Sequence, residues 1–359
     1  MQTAIVARGP GAVAIDNAAS MPHLRPDSIL VKTIAVAINP IDVKLLDVYN
    51  DDDSATGSSI QGHDFAGTVV ALGADVRDMD IEVGDRVAGP VPSGAFAQYV
   101  VARADLVLKL PGHVSFEKGA GLGIGVATAA LAVFDEEEGL GIPLSRLERD
   151  CGAEGEREDE EKFVLVVGGS TASGTRAMQL LRSAGYRPLT TTSAPNMPLA
   201  LRFGAEKVFD YHDPATASAI RSYTSDELSL ALDCVTTAET TRLCYDAMGR
   251  AGGRYVALEP FQKAVALTRP LTIEPSWIMG LTIFGEEVRL HGEYGREARP
   301  QHRILGARVF RKVQGLLERG RLLPHPVEIV EGGWHGVLKG LEMMRMGTPS
   351  GYKLVASVA

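Results

Sequence analysis

The chain has 359 residues, 45% of them hydrophobic and 23% charged, with a formal net charge of −9. This length exceeds one ordinary core and predicts two domains, while the acidic balance disfavours nucleic acid or an anionic membrane as a main partner. No stretch approaches the roughly twenty uncharged apolar residues of a membrane span, and the amino terminus, MQTAIVARGPGAVAID, lacks the apolar core of a signal peptide, so a cytoplasmic enzyme is expected.

Residues 1 to about 125 contain short alternating runs, SILVKTIAVAIN (28–39), FAGTVVALG (65–73) and GAFAQYVVA (94–102), broken by Gly, Pro and Asp. That pattern predicts a small β-rich domain, with VGDRVAG (83–89) turning into a further strand. Residues 116–134, rich in Gly and Ala with an apolar stripe, predict a helix that carries the chain into the next domain. The segment 135–162, DEEEGLGIPLSRLERDCGAEGEREDEEK, is crowded with acids and predicts a solvated loop or mobile insert. Cys151 lies within it in polar surroundings, whereas Cys234 and Cys244 stand in apolar context and read as inert core. The three lack C-x-x-C spacing, so neither a disulfide framework nor a thiolate metal cluster is expected.

FVLVV (163–167) is a β-branched run suited to a strand covered on both faces, and GGSTASG (168–174) follows it. Gly168, Gly169 and Gly174 allow the tight turn and close approach that point a helix amino terminus at a pyrophosphate. Such turns also join strands to helices where no nucleotide binds, so the continuation matters. GAEKVFDY (204–211), LSLALDCVTTAET (228–240) and GRAGGRYVALEP (249–260) repeat the helix, turn and strand cycle of a doubly wound parallel sheet. The second strand ends in TTTSAPN (190–196), without the Asp or Glu that accepts hydrogen bonds from a ribose 2′-hydroxyl. A carboxylate would repel a 2′-phosphate, whereas Ser193 and Asn196 donate to one and Tyr211 can close over it, which predicts NADPH. WIMGLTIFGEE (277–287) reads either as an edge strand for dimerisation or as a channel wall. Beyond 291, a helix (303–319), a strand (326–332), a helix (335–346) and a last strand (351–358) are expected to return to the first domain, whose sheet needs a partner.

INPIDVK (38–44), GHDFAGTVVALG (62–73), VGDRVAG, GAFAQYVV (94–101) and GLGIGVATAALA (121–132) occur in the order found in the medium-chain dehydrogenase/reductase superfamily, which the chain resembles over nearly its full length. The resemblance implies an α/β protein with a GroES-like catalytic domain (1–127 and 291–359), a Rossmann domain (128–290) that carries the acidic insert, and an active site between them. AVAINPIDVK (35–44), GGSTASGTRAMQLLRSAGY (168–186), ALDCVTTAETT (231–241), GRAGGRYVALEPF (249–261), LTIFGE (281–286) and LLPHP (322–326) are most similar to fungal trans-acting enoyl reductases that serve highly reducing polyketide synthases. That likeness implies NADPH-dependent reduction of an α,β-unsaturated thioester. The substrate would ride on the acyl carrier domain of a polyketide synthase, or of a synthase–peptide synthetase hybrid, and the enzyme would be a monomer.

Alcohol-oxidising members of the superfamily hold zinc through a Cys, a His and a further Cys or carboxylate. Here His63 and Asp64 are present, but Ile41 stands at the first Cys position, so no metal is expected and His63 beside Asp64 reads as a hydrogen-bonded structural pair. By resemblance, Lys44 is the cation at the developing enolate and Thr128 sits at the junction of nicotinamide and substrate. Their bland readings are a solvent-exposed helix lysine and a helical threonine bonded to its own chain. The likeness further assigns the coenzyme to Ile41, Asp42, Val43 and Lys44; to Ser170, Thr171, Ala172 and Ser173; to Ser193, Ala194, Pro195, Asn196 and Tyr211; and to Leu258, Glu259, Ser350 and Gly351. It lines the acyl channel with Thr128, Ala129, Ala130, Leu131, Ala132, Val133, Phe134 and Asp135 on one side and with Leu281, Thr282, Ile283, Phe284 and Gly285 on the other. Tyr49, His63, Tyr99 and water all stay open as proton donor. A zinc-free NADPH quinone or enone reductase and a non-catalytic accessory subunit are the competing readings.

Overall fold

A computed structural model of the chain describes residues 1–47, 60–76, 79–148 and 162–359. They divide into two compact units, residues 1–125 with 313–359 and residues 126–312.

In the first unit, β1 (Gln2–Ala7) and β2 (Val13–Ala19) form an antiparallel hairpin. Gly9 and Gly11, at φ +117° and +67°, make its turn in backbone space that L side chains rarely adopt. β3 (Ser28–Ala37) leads through α1 (Pro40–Asp47) to β4 (Asp64–Leu72), β5 (Arg86–Pro90), β6 (Tyr99–Arg103) and β7 (Leu108–Lys109). Alternate residues such as Ile29, Val31, Phe65 and Val87 are fully buried, and this inward face forms one core with Ile5, Phe96 and Leu354.

The stretch read as a single helix, 116–134, is two helices, α2 (Phe116–Ala120) and α3 (Gly123–Phe134). Asp64 Oδ1 accepts the Ile124 N–H at 2.6 Å and so caps α3, and a Cβ on Gly123 would lie 2.4 Å from that oxygen. By length and composition alone Phe116–Phe134 matches a membrane span, against expectation, but 83% of it is buried within the fold. The chain passes from one unit to the other inside α3.

Residues 135–148 are not a solvated insert. Leu140, Ile142, Leu144 and Leu147 are buried, the last two on α4 (Leu144–Glu148), and the Asp135 carboxylate accepts the Glu138 N–H at 2.8 Å. The acids hold the turn while these interleaved apolar residues anchor it. The rest of the acidic run, 149–161 with Cys151, lies outside the described residues, as does Tyr49.

The second unit then alternates β8 (Phe163–Val167), α5 (Ala172–Ser183), β9 (Arg187–Thr192), α6 (Met197–Arg202), β10 (Lys207–Asp210), α7 (Thr216–Tyr223), β11 (Leu230–Asp233), α8 (Ala238–Ala247), β12 (Gly253–Ala257), α9 (Lys263–Ala266) and β13 (Ile273–Trp277). All pairings are parallel, in the order β10-β9-β8-β11-β12-β13, so the order reverses beside β8. Among the described residues β13 pairs only with β12; it carries Pro275 and gives way to a 3-10 turn at Gly280–Phe284. Residues 277–287 are therefore not one strand.

The tail comprises α10 (Pro300–Glu318), β14 (Val327–Ile329), α11 (Trp334–Arg345) and β15 (Lys353–Ser357). β15 joins β3 antiparallel and β14 joins β15 parallel, completing the sheet β14-β15-β3-β4-β5-β7 with β6 on β3. The second unit boundary falls inside α10, at 312/313 rather than near 290. The first turn of α10 packs on Gly285, whereas Gln314 exchanges hydrogen bonds with the Lys109 backbone.

Candidate active site

In the second unit the segments expected to hold a coenzyme emerge together at the carboxyl ends of parallel strands, around the point where the order reverses. Open α/β sheets bind ligands at this point. Gly168 follows β8 at φ +82°. A Cβ on Gly169 would fall 2.1 Å from Thr190 Oγ1 of β9, and one on Gly174 would fall 2.4 Å from the Gly168 carbonyl oxygen. Thr171 caps α5: its hydroxyl accepts the Gly174 N–H at 2.9 Å and donates to the Gly168 carbonyl at 2.8 Å. Ser170, Thr171, Ala172 and Ser173 are only half-buried, and the first-turn N–H groups of a helix lack intrahelical acceptors. With the helix dipole behind them they form a cradle that fits a pyrophosphate.

The tip of β9 turns through Ser193 into the 3-10 turn Ala194–Asn196, whose member Pro195 is exposed and whose Asn196 amide donates to Ser193 Oγ at 3.2 Å. An acid does lie nearby, on the neighbouring strand: Asp210 of β10 stands opposite Thr192. Its carboxylate accepts the His212 N–H at 3.0 Å and lies 2.8 Å from His212 Nδ1, and these contacts hold it below the usual carboxylate range. Tyr211, half exposed, stacks on the His212 ring at 4.1 Å between centroids.

After β11, buried Asp233 accepts the N–H groups of Val235 and Thr236 at 3.0 and 2.9 Å on one oxygen, and the hydroxyls of Thr240 and Tyr255 at 2.8 and 3.0 Å on the other. Burial nonetheless pushes its carboxyl pKa up. The bonds hold Thr236 in left-handed backbone, φ +60°, and so shape the loop that neighbours the β8 turn. After β12, Leu258 and Glu259 are half-buried, and Tyr294 donates to Glu259 Oε2 at 2.9 Å. Burial, then that carboxylate, raises the Tyr294 phenol to about 12.

The two expected acyl-channel segments also meet. Thr128, Ala129, Ala130, Leu131, Ala132, Val133, Phe134 and Asp135 are all buried, as are Leu281, Thr282, Ile283 and Phe284 of the facing 3-10 turn. A Cβ on Gly280 would lie 2.8 Å from Thr128 Oγ1. Gly285 closes the turn at φ +76°. His302, unmarked by any sequence motif, stands between the segments: Nδ1 is 2.8 Å from Thr282 Oγ1 and Nε2 is 3.3 Å from Asp135 Oδ1. Burial opposes the Asp135 charge, but His302, the Glu138 N–H and Arg299 together lower its pKa.

In the first unit, Ile41, Asp42, Val43 and Lys44 lie on α1, where Val43 is buried and Lys44 exposed. The Asp42 side chain is committed inward: it accepts the Asn39 N–H at 2.6 Å and faces His63 Nδ1 at 2.5 Å. His63 is therefore paired with Asp42, not with adjacent Asp64. Asp64 instead accepts from the Asn39 amide at 3.0 Å and pairs with Lys353 Nζ at 2.9 Å, and Lys353 also donates to Asn39 Oδ1. With an ammonium already on that carboxylate, the residues do not fit a zinc site, and the described residues contain no group of three His, Cys, Asp or Glu that could hold a metal. His63 Nε2 is buried with no hydrogen-bond partner among the described residues. Ser350 is exposed and Gly351, at φ +77°, leads into β15.

A family model described as the alcohol dehydrogenase GroES-like domain matches residues 25–112. The chain is 55% identical to a trans-enoyl reductase of Aspergillus niger over 99% of this chain and 97% of that one. It is 42% identical to the enoyl reductase component of the lovastatin nonaketide synthase of Aspergillus terreus, covering 99% and 95%. Among solved structures, the CurK enoyl reductase matches 99% of both chains with a TM-score of 0.74 at 17% identity, a likeness of fold.

Proposed function

We propose a substrate and a coenzyme for a chain that belongs to the trans-enoyl reductases of the medium-chain dehydrogenase/reductase superfamily: the α,β-unsaturated thioester of a polyketide chain borne by a partner synthase, and NADPH. The observation that carries the substrate reading is the 55% identity over nearly the whole chain. Members of this family use a nicotinamide coenzyme, and the cradle of Gly168, Gly169, Gly174 and the α5 amino terminus fits its pyrophosphate. What supports the phosphorylated form is the β9 tip, where Ser193 and Asn196 offer donors and the nearby Asp210 carboxylate is already engaged by His212. The bound coenzyme supplies a hydride to the β-carbon of the enoyl thioester.

The chain's own residues position the acyl group and answer the charge that develops. As the double bond is reduced, negative charge gathers on the thioester oxygen, and Lys44 on α1 neutralises it. Thr128, backed by the close approach of Gly280, sets the acyl head. The reaction needs no metal on this reading, because Lys353 already satisfies Asp64. The protein works as a cytoplasmic monomer that meets the carrier domain of its synthase in trans. Pro275 supports the monomer, since a proline on the outer strand lacks an N–H for strand addition.

Initial rates with NADPH and with NADH, on a crotonyl pantetheine thioester and on a naphthoquinone, test the reading. NADPH with the thioester should give the largest kcat/KM, and Lys44→Met should lower that value by about 10²-fold with little change in coenzyme affinity. Faster turnover of the quinone would favour the free-substrate enone reductase instead, and preference for NADH would remove the coenzyme assignment.

A further inference from the structure

His302 lies in the first turn of α10 and is 1% exposed. Its ring touches both segments given above to the acyl channel. The Thr282 hydroxyl spends its one hydrogen on the Met279 carbonyl at 2.8 Å, so it can only accept from His302 Nδ1, at 2.8 Å. On the opposite side, Nε2 lies 3.3 Å from Asp135 Oδ1, without hydrogen-bond geometry. Asp135 ends the α3 segment and accepts the Glu138 N–H, while Arg299, just before α10, pairs with Glu138 at 2.8 Å. Gly285 closes the other segment so tightly on α10 that a Cβ would lie 3.0 Å from Arg303 Cβ. The imidazole thus reaches from α10 to both walls, to Thr282 on one side and to Asp135 on the other.

We infer that His302 is a positioning residue that fixes the separation of the α3 and 280–285 walls, and thereby the length and branching of the acyl chain the enzyme reduces. The inference rests on the proposed acyl-channel role of those two segments. Nothing in it requires His302 to touch substrate. Removing the bridge lets the 3-10 turn shift against α3, which changes the fit of the distal acyl chain more than the chemistry at its thioester end.

The test compares kcat/KM for enoyl pantetheine thioesters of short and long chain, such as crotonyl and 2-decenoyl, in the wild type, His302→Leu and Thr282→Val. Far-UV circular dichroism and NADPH affinity serve as folding controls. The expected result is a long-to-short ratio shifted by about tenfold or more in folded variants, chiefly through KM, with NADPH affinity within about twofold of wild type. His302→Gln, which keeps an amide to reach the two partners, should restore part of the ratio. A ratio that stays constant in a folded variant, or an equal fall in kcat for both substrates, would overturn the positioning role while leaving the enoyl reductase reading intact. Should His302→Leu fail to fold, the near-isosteric Thr282→Val decides by the same ratio. If the wild type itself reduces no enoyl thioester, the substrate reading falls first and the inference with it.

Discussion

Lys353 and Asp64 show what single residues contribute beyond their local pattern. Asp64 is fully buried, and by itself a buried carboxylate would be costly; Lys353, Asn39 and the Ile124 N–H together satisfy it. Sequence alone places Asp64 beside His63 and suggests a pair. Its real partners come from distant chain, since Lys353 and Asn39 are 314 residues apart. No periodicity reports such a contact. Asp135 is similar: an acid at the head of an acidic run is in fact folded in, with a lowered pKa. Because the folded value lies below the unfolded one, the associated stability is present above the unfolded pKa and is lost as pH falls through the folded pKa. Denaturant unfolding of wild type and Asp135→Asn should therefore show a stability gap that holds from neutral pH down to about pH 4 and closes as the pH falls further. A gap that is constant, or that widens on acidification, would contradict the role given to this carboxylate.

At the level of elements, the β8–α5 turn was the most legible feature because each of its glycines answers a local demand. Gly169 faces Thr190 and Gly174 faces the Gly168 carbonyl, so no larger residue fits and the pattern survives in the sequence. The start of α3 was not legible, because the carboxylate that caps it comes from β4. The tip of β9 was legible only in part: TTTSAPN shows no acid, but strand pairing brings Asp210 of β10 alongside Thr192. If His212 keeps that carboxylate engaged, a second, unengaged acid on β9 itself should reverse the coenzyme choice. Ser193→Asp is expected to raise KM for NADPH by roughly tenfold or more and to lower that for NADH, the sign set by repulsion of the 2′-phosphate and acceptance from a 2′-hydroxyl. Unchanged KM ratios would place the adenosine phosphate elsewhere.

Over the whole molecule, the sequence conveyed the two kinds of sheet, one mostly antiparallel and alternating, the other parallel and apolar. It also conveyed the return of the tail, which β15 accomplishes on β3. The position of the second unit boundary was hidden, because α10 is a continuous helix whose two halves serve different units. The facing of 128–135 and 281–285 depends on how α3 and the 3-10 turn pack, so the residues could be named beforehand but not the histidine that joins them. The central claim concerns where the reducing equivalent goes. NADPH carrying deuterium at the transferred position of its nicotinamide, incubated with the protein and a 2-enoyl pantetheine thioester, should give a saturated acyl thioester with one deuterium on the β-carbon and none on the α-carbon. Deuterium on the carbonyl carbon of an alcohol product, or unreacted thioester beside a deuterated quinol in a parallel quinone reaction, would contradict it.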